Sequence, residues 1–270
     1  MRFPGLRLVQ LRSAGFDSVP VEKYRLNGVA VANAGNVYSI PIAETIVYGI
    51  LQMAKKYRKN PNNHLFRFLR GYKYIGEIAE KKALIMGTGN IGTSTAQRLS
   101  GFGVDIDGYD PYSPKKPQYS EILRTRSELV SEIGKYDYII STMPDNDDTK
   151  KFIDSTLFDA MKNTAVFVNV GRRATINEDD LYSALKTHQI GGAVLDMFEK
   201  IPNPITNRFR RLNNTIVLPG VAAISKEVNI RLCEHIKTNV ELVAQDIQPT
   251  NVINGVKIWV KFLLEKITTV

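Results

Sequence analysis

Three glycines pose the first chemical question. In the stretch ALIMGTGNIG, Gly87, Gly89 and Gly92 stand in the spacing GxGxxG, directly after an apolar strand-like run and at the start of a helical pattern. Their roles differ. The first allows a tight turn, the second lets backbone approach a pyrophosphate, and the third lets the helix pack closely on the strand. The helix mouth adds unpaired N–H donors for the phosphates. Alone, the pattern is weak. Its context strengthens it, because the next strand-like run ends in DGYDP and puts Asp110 in the window, about 20 residues on, where an acidic side chain meets the adenosine ribose. A carboxylate there repels a 2′-phosphate, and no arginine follows it immediately, which favours NAD over NADP. The alternative is a bare strand–helix turn with a capping aspartate, which gives the glycines' entropic cost no ligand to offset it.

Such a turn works at the carboxyl end of a strand in a parallel sheet, and the chain alternates strand-like and helical runs almost throughout. Strands are expected at Leu6–Leu11, Val29–Ala32, Ala83–Met86, Val104–Tyr109, Tyr138–Ser141, Ala165–Val170, Ala193–Met197 and Ile216–Leu218. Helices are expected at Ile42–Arg58, Ile91–Leu99, Glu128–Ile133, Ser155–Met161, Glu178–Leu185 and about Lys226–Gln245. The polar, basic loop KYRKNPNNH is the candidate domain boundary. In the tail GVKIWVKFLLEKITTV, Ile258, Trp259, Phe262, Leu263 and Ile267 have helical spacing, which predicts a packing helix rather than a membrane anchor.

The totals narrow the classes. With 270 residues, 43% of them hydrophobic, the chain can bury the cores of about two domains. One cysteine, Cys233, excludes an internal disulfide framework, and no run reaches the roughly 18 apolar residues of a membrane span. The start, MRFPGLRLVQL, lacks the apolar core and cleavage site of a signal peptide, so a cytoplasmic setting is expected. The net charge of +9 is scattered in short groups such as Lys115-Lys116 and Arg172-Arg173 without aromatic interleaving, which reads as a solvated face and not a nucleic-acid site. No His, Cys and carboxylate cluster stands at ligand spacing, so no metal is expected.

The blocks VQLRSAGFDSVP, VANAGNVYSIPIAE, MGTGNIGTSTAQRLSGFGVDIDGYDPY, TMPDNDDTKKFID, FVNVGRRATINEDDLYSALKTHQIGGAVLDMFE and NTIVLPGVAA, in that order and spacing, resemble the D-isomer-specific 2-hydroxyacid dehydrogenase family up to about Val256. The resemblance implies an α/β fold: a Rossmann-type doubly wound parallel sheet inserted in a smaller flavodoxin-like substrate domain, with the active site in the cleft between them. On that scheme residues 1–57 form part of the substrate domain, 58–225 bind NAD, and 226–270 return as helix and tail to the substrate domain. Members usually carry further strand–helix units ahead of the block at Leu6, so a truncated substrate domain is expected here. The resemblance further implies hydride transfer between NAD(H) and a 2-keto or 2-hydroxy acid, in a homodimer joined through the nucleotide domains.

Site residues carry over by position. Asn90 and Ile91 would lie over the pyrophosphate beside Gly87, Gly89 and Gly92, with Met143, Pro144 and Thr149 along the cofactor, Val170 and Gly171 next to it, and Asp196 at the nicotinamide amide. Ala14, Gly15 and Phe16 would receive the substrate carboxylate, with Asn33 and Glu44 beside them. Arg172 matches the catalytic arginine, which holds that carboxylate and polarises the keto oxygen. Its Glu and His partners do not match: those positions are Ile201 and Gly220, and the glycine after the arginine is Arg173. Losing both together is coherent, because a Glu without its His would be a buried charge with no partner. Weak turnover, or silent NAD(H) binding, is therefore expected. His64, His188 and His235 read as structural; Glu199, Lys200, Tyr38 and Tyr72 are the nearest conceivable substitutes.

Overall fold

A computed structural model describes residues 3, 5–55, 75–196 and 207–258. They fall in two compact units, Met1–Tyr38 with Ile224–Val270, and Ser39–Ala223. The larger unit is thus inserted in the chain of the smaller one.

Its sheet has seven parallel strands: β3 (Lys82–Met86), β4 (Asp105–Tyr109), β5 (Ile122–Leu123), β6 (Tyr138–Ser141), β7 (Val166–Asn169), β8 (Gly192–Leu195) and β9 (Thr215–Val217), in the order β5-β4-β3-β6-β7-β8-β9. Sequence order reverses between β3 and β6. Connections leaving in opposite directions at that point open a crevice at the strands' carboxyl ends, which is where doubly wound sheets take ligands. The central strands are apolar on both faces, as parallel strands covered by helices must be, with Leu84, Ile85, Ile139, Ile140, Phe167 and Val168 all buried.

The helices of this unit are α2 (Ser39–Lys55), α3 (Asn90–Ser100), α4 (Arg126–Glu132), α5 (Ser155–Ala160) and α6 (Glu178–Lys186). Helix α2 buries Ile42, Ala43, Ile46, Val47 and Ile50, and packs along α3. Its Gly49 permits a close approach to β8: a Cβ there would stand 2.6 Å from a Val194 methyl. The expected boundary followed this helix, whereas the unit boundary precedes it at Ser39, because its apolar stripe is buried on the large sheet's own layer.

In the smaller unit β1 (Leu8–Gln10) pairs in parallel with β2 (Ala30–Ala32) through the crossover helix α1 (Val21–Leu26). Helix α7 (Lys226–Ala244) packs Val228 and Leu232 against Ala34 and Val37. Buried Asn239 on α7 donates to the Gln10 side chain at 2.6 Å and accepts from the Thr250 amide at 2.8 Å, so one polar side chain ties β1, α7 and the following segment together.

Strand β5 and helix α1 are additions to the sequence reading. A two-residue strand has no period to detect, and α1 buries none of its residues, so it shows no apolar stripe. Helix α2 starts at Ser39 rather than Ile42, because Pro41 sits in the first turn, where a missing N–H costs nothing. The expected loop after Lys55, the end of the strand at Met197 and the tail beyond Ile258 lie outside the described residues.

Candidate cofactor and active site

The turn after β3 is closed beneath and open above. Gly87 has φ +94°, and a Cβ on it would come within 3.1 Å of Thr142. A Cβ on Gly92 would collide with the Gly87 carbonyl oxygen, so both positions need glycine for packing. Gly89 is different: nothing lies within 4 Å of where its Cβ would be. It caps α3 in extended conformation without any side-chain cap, whereas Thr125, Asp154 and Asn177 cap α4, α5 and α6. Among the described residues, then, no side chain caps the start of α3 and the space beside Gly89 is open, so a pyrophosphate fits that cradle by charge and by room.

Asp110 closes the turn from β4. One carboxylate oxygen accepts from the Thr88 amide and hydroxyl, each at 3.0 Å; the other accepts from the amides of Tyr112 at 3.0 Å and Ser113 at 2.9 Å. Burial alone would raise this carboxyl, but the amides of Ser113, Thr88 and Tyr112 outweigh it and hold it below the usual carboxylate range. The sequence pointed to a ribose ligand. The structure shows in addition a brace that uses both oxygens.

Across the crevice, the Thr142 hydroxyl after β6 donates to the Gly87 carbonyl at 2.8 Å and ties the two strand ends. Met143 turns its side chain into the core, so it can meet a cofactor only through backbone. The Thr149 hydroxyl donates to the Pro144 carbonyl at 2.8 Å and accepts from the Asn146 amide at 2.9 Å, which folds the loop on itself. At the end of β7 the Asn169 side chain accepts from the Gly171 amide at 3.2 Å, and Gly171 lies so close to Met143 that a Cβ would be 3.1 Å from its carbonyl. Half-buried Arg172 follows, its own carbonyl accepting from the Thr175 hydroxyl at 2.7 Å, and Arg173 opens a 3-10 turn. Ser141 and Asn169 are register partners on β6 and β7, and the buried Ser141 hydroxyl and Asn169 amide nitrogen have no hydrogen-bond partner.

Asp196 after β8 performs the same service as Asp110. It is buried, and its two oxygens accept from the amides of Val221 at 2.9 Å and Ala222 at 3.1 Å. Between them, Pro219 and Gly220 turn outward after β9, with Gly220 exposed at φ +74°. Ile201, Glu199 and Lys200 lie outside the described residues.

In the smaller unit the Asn33 side chain donates to the Ala14 carbonyl at 2.7 Å and accepts from the Gly35 amide at 3.0 Å, which fixes the loop carrying Ala14, Gly15 and Phe16. His235 reaches the Asn33 carbonyl at 2.9 Å, and Tyr38 donates to the Arg12 carbonyl at 2.6 Å. His188 occupies a left-handed turn after α6, and Glu44 pairs with Arg98 at 3.4 Å. His64 and Tyr72 lie outside the described residues. Thr88, Thr142, Asn169 and Thr175 were not anticipated. They act on backbone groups, and a sequence gives no sign of which amide a hydroxyl will meet.

The sequence profile of the D-isomer specific 2-hydroxyacid dehydrogenase, NAD binding domain, matches residues 47–222. The chain belongs to this dehydrogenase family. It is 31% identical over 225 residues to D-3-phosphoglycerate dehydrogenase of Methanocaldococcus jannaschii, covering 82% of this chain and 42% of that protein. To D-lactate dehydrogenase of Staphylococcus epidermidis it is 29% identical, covering 86% and 69%. Among solved structures, an acyclic imino acid reductase in complex with NADPH and D-Arg superposes with a TM-score of 0.80 at 25% identity, covering 92% of this chain and 78% of that one. The chain thus spans less than half of the phosphoglycerate dehydrogenase it matches. The larger unit is an NAD-binding domain of the dehydrogenase family, and its seven-stranded sheet has the expected doubly wound order. No described helix is long and apolar enough to cross a membrane, and no described group of three His, Cys, Asp or Glu could hold a metal ion.

Proposed function

We propose that the protein is an NAD(H)-dependent oxidoreductase that moves a hydride between the cofactor and a small 2-keto or 2-hydroxy acid, slowly, because Ile201 and Gly220 stand where the family has its proton-transfer pair. The contrast between two strand-end turns carries this reading: the one after β3 is an open, uncapped anion cradle, and the one after β9 ends in glycine.

Gly87, Gly89, Asn90, Ile91, Gly92 and Asp110 take the adenosine and pyrophosphate portion. Met143, Pro144, Thr149, Val170, Gly171 and Asp196 serve the nicotinamide half, and Ala14, Gly15, Phe16 and Asn33 with Arg172 serve the substrate carboxylate. A bound reduced nicotinamide supplies the hydride. The Arg172 guanidinium places fixed positive charge where negative charge grows on the keto oxygen. Gly220 offers no acid, so that oxygen takes its proton from water, at a loss of about 10² to 10⁴ in rate relative to a positioned general acid. A cytoplasmic homodimer joined through the larger units accompanies the proposal, and sedimentation reads its oligomeric state.

A second reading, a silent NAD(H)-binding sensor or partner subunit, draws on the same Gly220: its left-handed backbone is one that side chains in general rarely adopt. NADH oxidation with a panel of 2-keto acids, run beside calorimetric titration with NADH, separates the two. Turnover above the solvent control supports the enzyme, and binding without turnover selects the sensor. Absence of binding sinks both.

A further inference from the structure

Lys116 lies in the loop between β4 and β5, half-buried, and its ammonium donates to the Thr88 carbonyl and, at 3.0 Å, to the Thr93 hydroxyl. One cation thus bridges the residue between Gly87 and Gly89 to the first turn of α3. That is an unfavourable place for it, since a helix N-terminus carries about half a positive charge. The Asp110 carboxylate on the same turn takes its four hydrogen bonds from Thr88, Tyr112 and Ser113, whereas the Lys116 ammonium is held by the Thr88 carbonyl and the Thr93 hydroxyl. A second cation adjoins it: Arg124 donates to the Asp110 carbonyl at 2.6 Å and to the Ser113 carbonyl. Around the ribose end of the cradle, then, Lys116 is held by the neutral oxygens of Thr88 and Thr93, Arg124 has Glu128 beside it, and the Asp110 carboxylate is filled by the chain's own donors.

We propose that Lys116 is a specificity-determining residue for the cofactor, offsetting the repulsion that Asp110 exerts on a 2′-phosphate so that the protein accepts NADPH as well as NADH. The inference rests on the dinucleotide binding proposed above, and it reverses the preference that Asp110 alone implies. A 2′-phosphate brings a dianion towards the Lys116 ammonium, which is held by neutral oxygens, and gains a charge-assisted hydrogen bond from it, whereas a 2′-hydroxyl gains little. The same lysine braces the glycine turn. A brace alone would affect both cofactors alike.

That difference supplies the test. Full-length protein is titrated with NADH and with NADPH, following nicotinamide fluorescence. The wild type is expected to bind the two within about tenfold of each other, and Lys116→Gln, which also loses the brace, to weaken NADPH about tenfold more than NADH. Lys116→Arg is expected to keep the wild-type ratio. Equal weakening of both cofactors, or an unchanged ratio in Lys116→Gln, overturns the inference. Where that variant fails to fold, the wild type decides: discrimination against NADPH beyond about tenfold overturns it. A wild type that binds neither cofactor removes the family cofactor reading itself, whereas binding with the wrong ratio removes only the role of Lys116.

Discussion

Two turns of the larger unit are built alike and furnished differently. After β3 and after β9 the chain leaves a strand through glycine in left-handed conformation, Gly87 and Gly220, and a nearby aspartate holds the turn by accepting backbone amides on both oxygens. Around Gly87 every neighbour presses in: Thr142 crowds it, and the Gly92 position has no room for a side chain. Around Gly220, among the described residues, only the Asp196 carbonyl comes as near as 4.0 Å to a Cβ position. The first turn is therefore glycine for lack of room as well as for its backbone, whereas at the second the left-handed backbone, and not crowding by described residues, is what favours glycine. The two turns are held by separate braces, so on the proposed reading the dinucleotide geometry can be kept while the position for proton transfer changes.

The largest expected effect tests that separability directly. The double variant Gly220→His with Ile201→Glu should raise 2-keto acid reduction by about 10² to 10⁴ if only the acid is missing. The left-handed site charges the histidine about 1–2 kcal/mol in stability, read by denaturant melting. Stopped-flow traces as slow as the parent's would mean that more than the acid has been lost.

Next in size, Gly92→Val drives a side chain into the Gly87 carbonyl and should cost about 3 kcal/mol while abolishing NADH binding. An unaltered melting temperature would contradict the crowding. Asp196→Ala leaves the Val221 and Ala222 amides without their acceptor and should cost about 2 kcal/mol, yet NADH affinity should change less than in Gly92→Val. Calorimetry on the two variants side by side ranks them; the reverse ranking would show that the β9 turn also supports the cradle.

The smallest effect concerns pH. The Asp110 carboxyl sits lower in the folded chain than in the unfolded one, so its contribution is complete above about pH 4 and disappears as pH falls through the lower folded value. Partial exposure screens it, so Asp110→Asn should remove less than about 1 kcal/mol at neutral pH and flatten the acid limb of the stability curve. Acid titration of stability by circular dichroism checks this; an acid limb as steep as the parent's would assign the effect to other carboxylates.

Much of this was legible in the residues. The strand at Tyr138–Ser141 falls where its apolar run placed it, and β3 and β7 lie within a residue or so of expectation, because parallel strands buried on both faces are largely apolar; β4, which carries Asp105 and Asp107, and helix α6 lie as near to expectation. The glycine spacing was visible for a similar reason: Gly87 and Gly92 have no room for a side chain. The short β5 and the amphipathically silent α1 escaped, since neither has a period to read. Thr142, Asn169 and Thr175 escaped because hydroxyls and amides are common, and their partners are backbone groups that no local pattern marks.

The sequence by itself determined the alternation of strands and helices and the dinucleotide turn. Only the tertiary structure decided that Asp110 and Asp196 spend both oxygens on neighbouring amides, that α2 packs with the larger sheet, and that Lys116 leans into the glycine turn. The reason is that local pattern records what each segment buries, whereas a hydrogen bond between loops depends on where separate strands end, and that is fixed only when the sheet assembles.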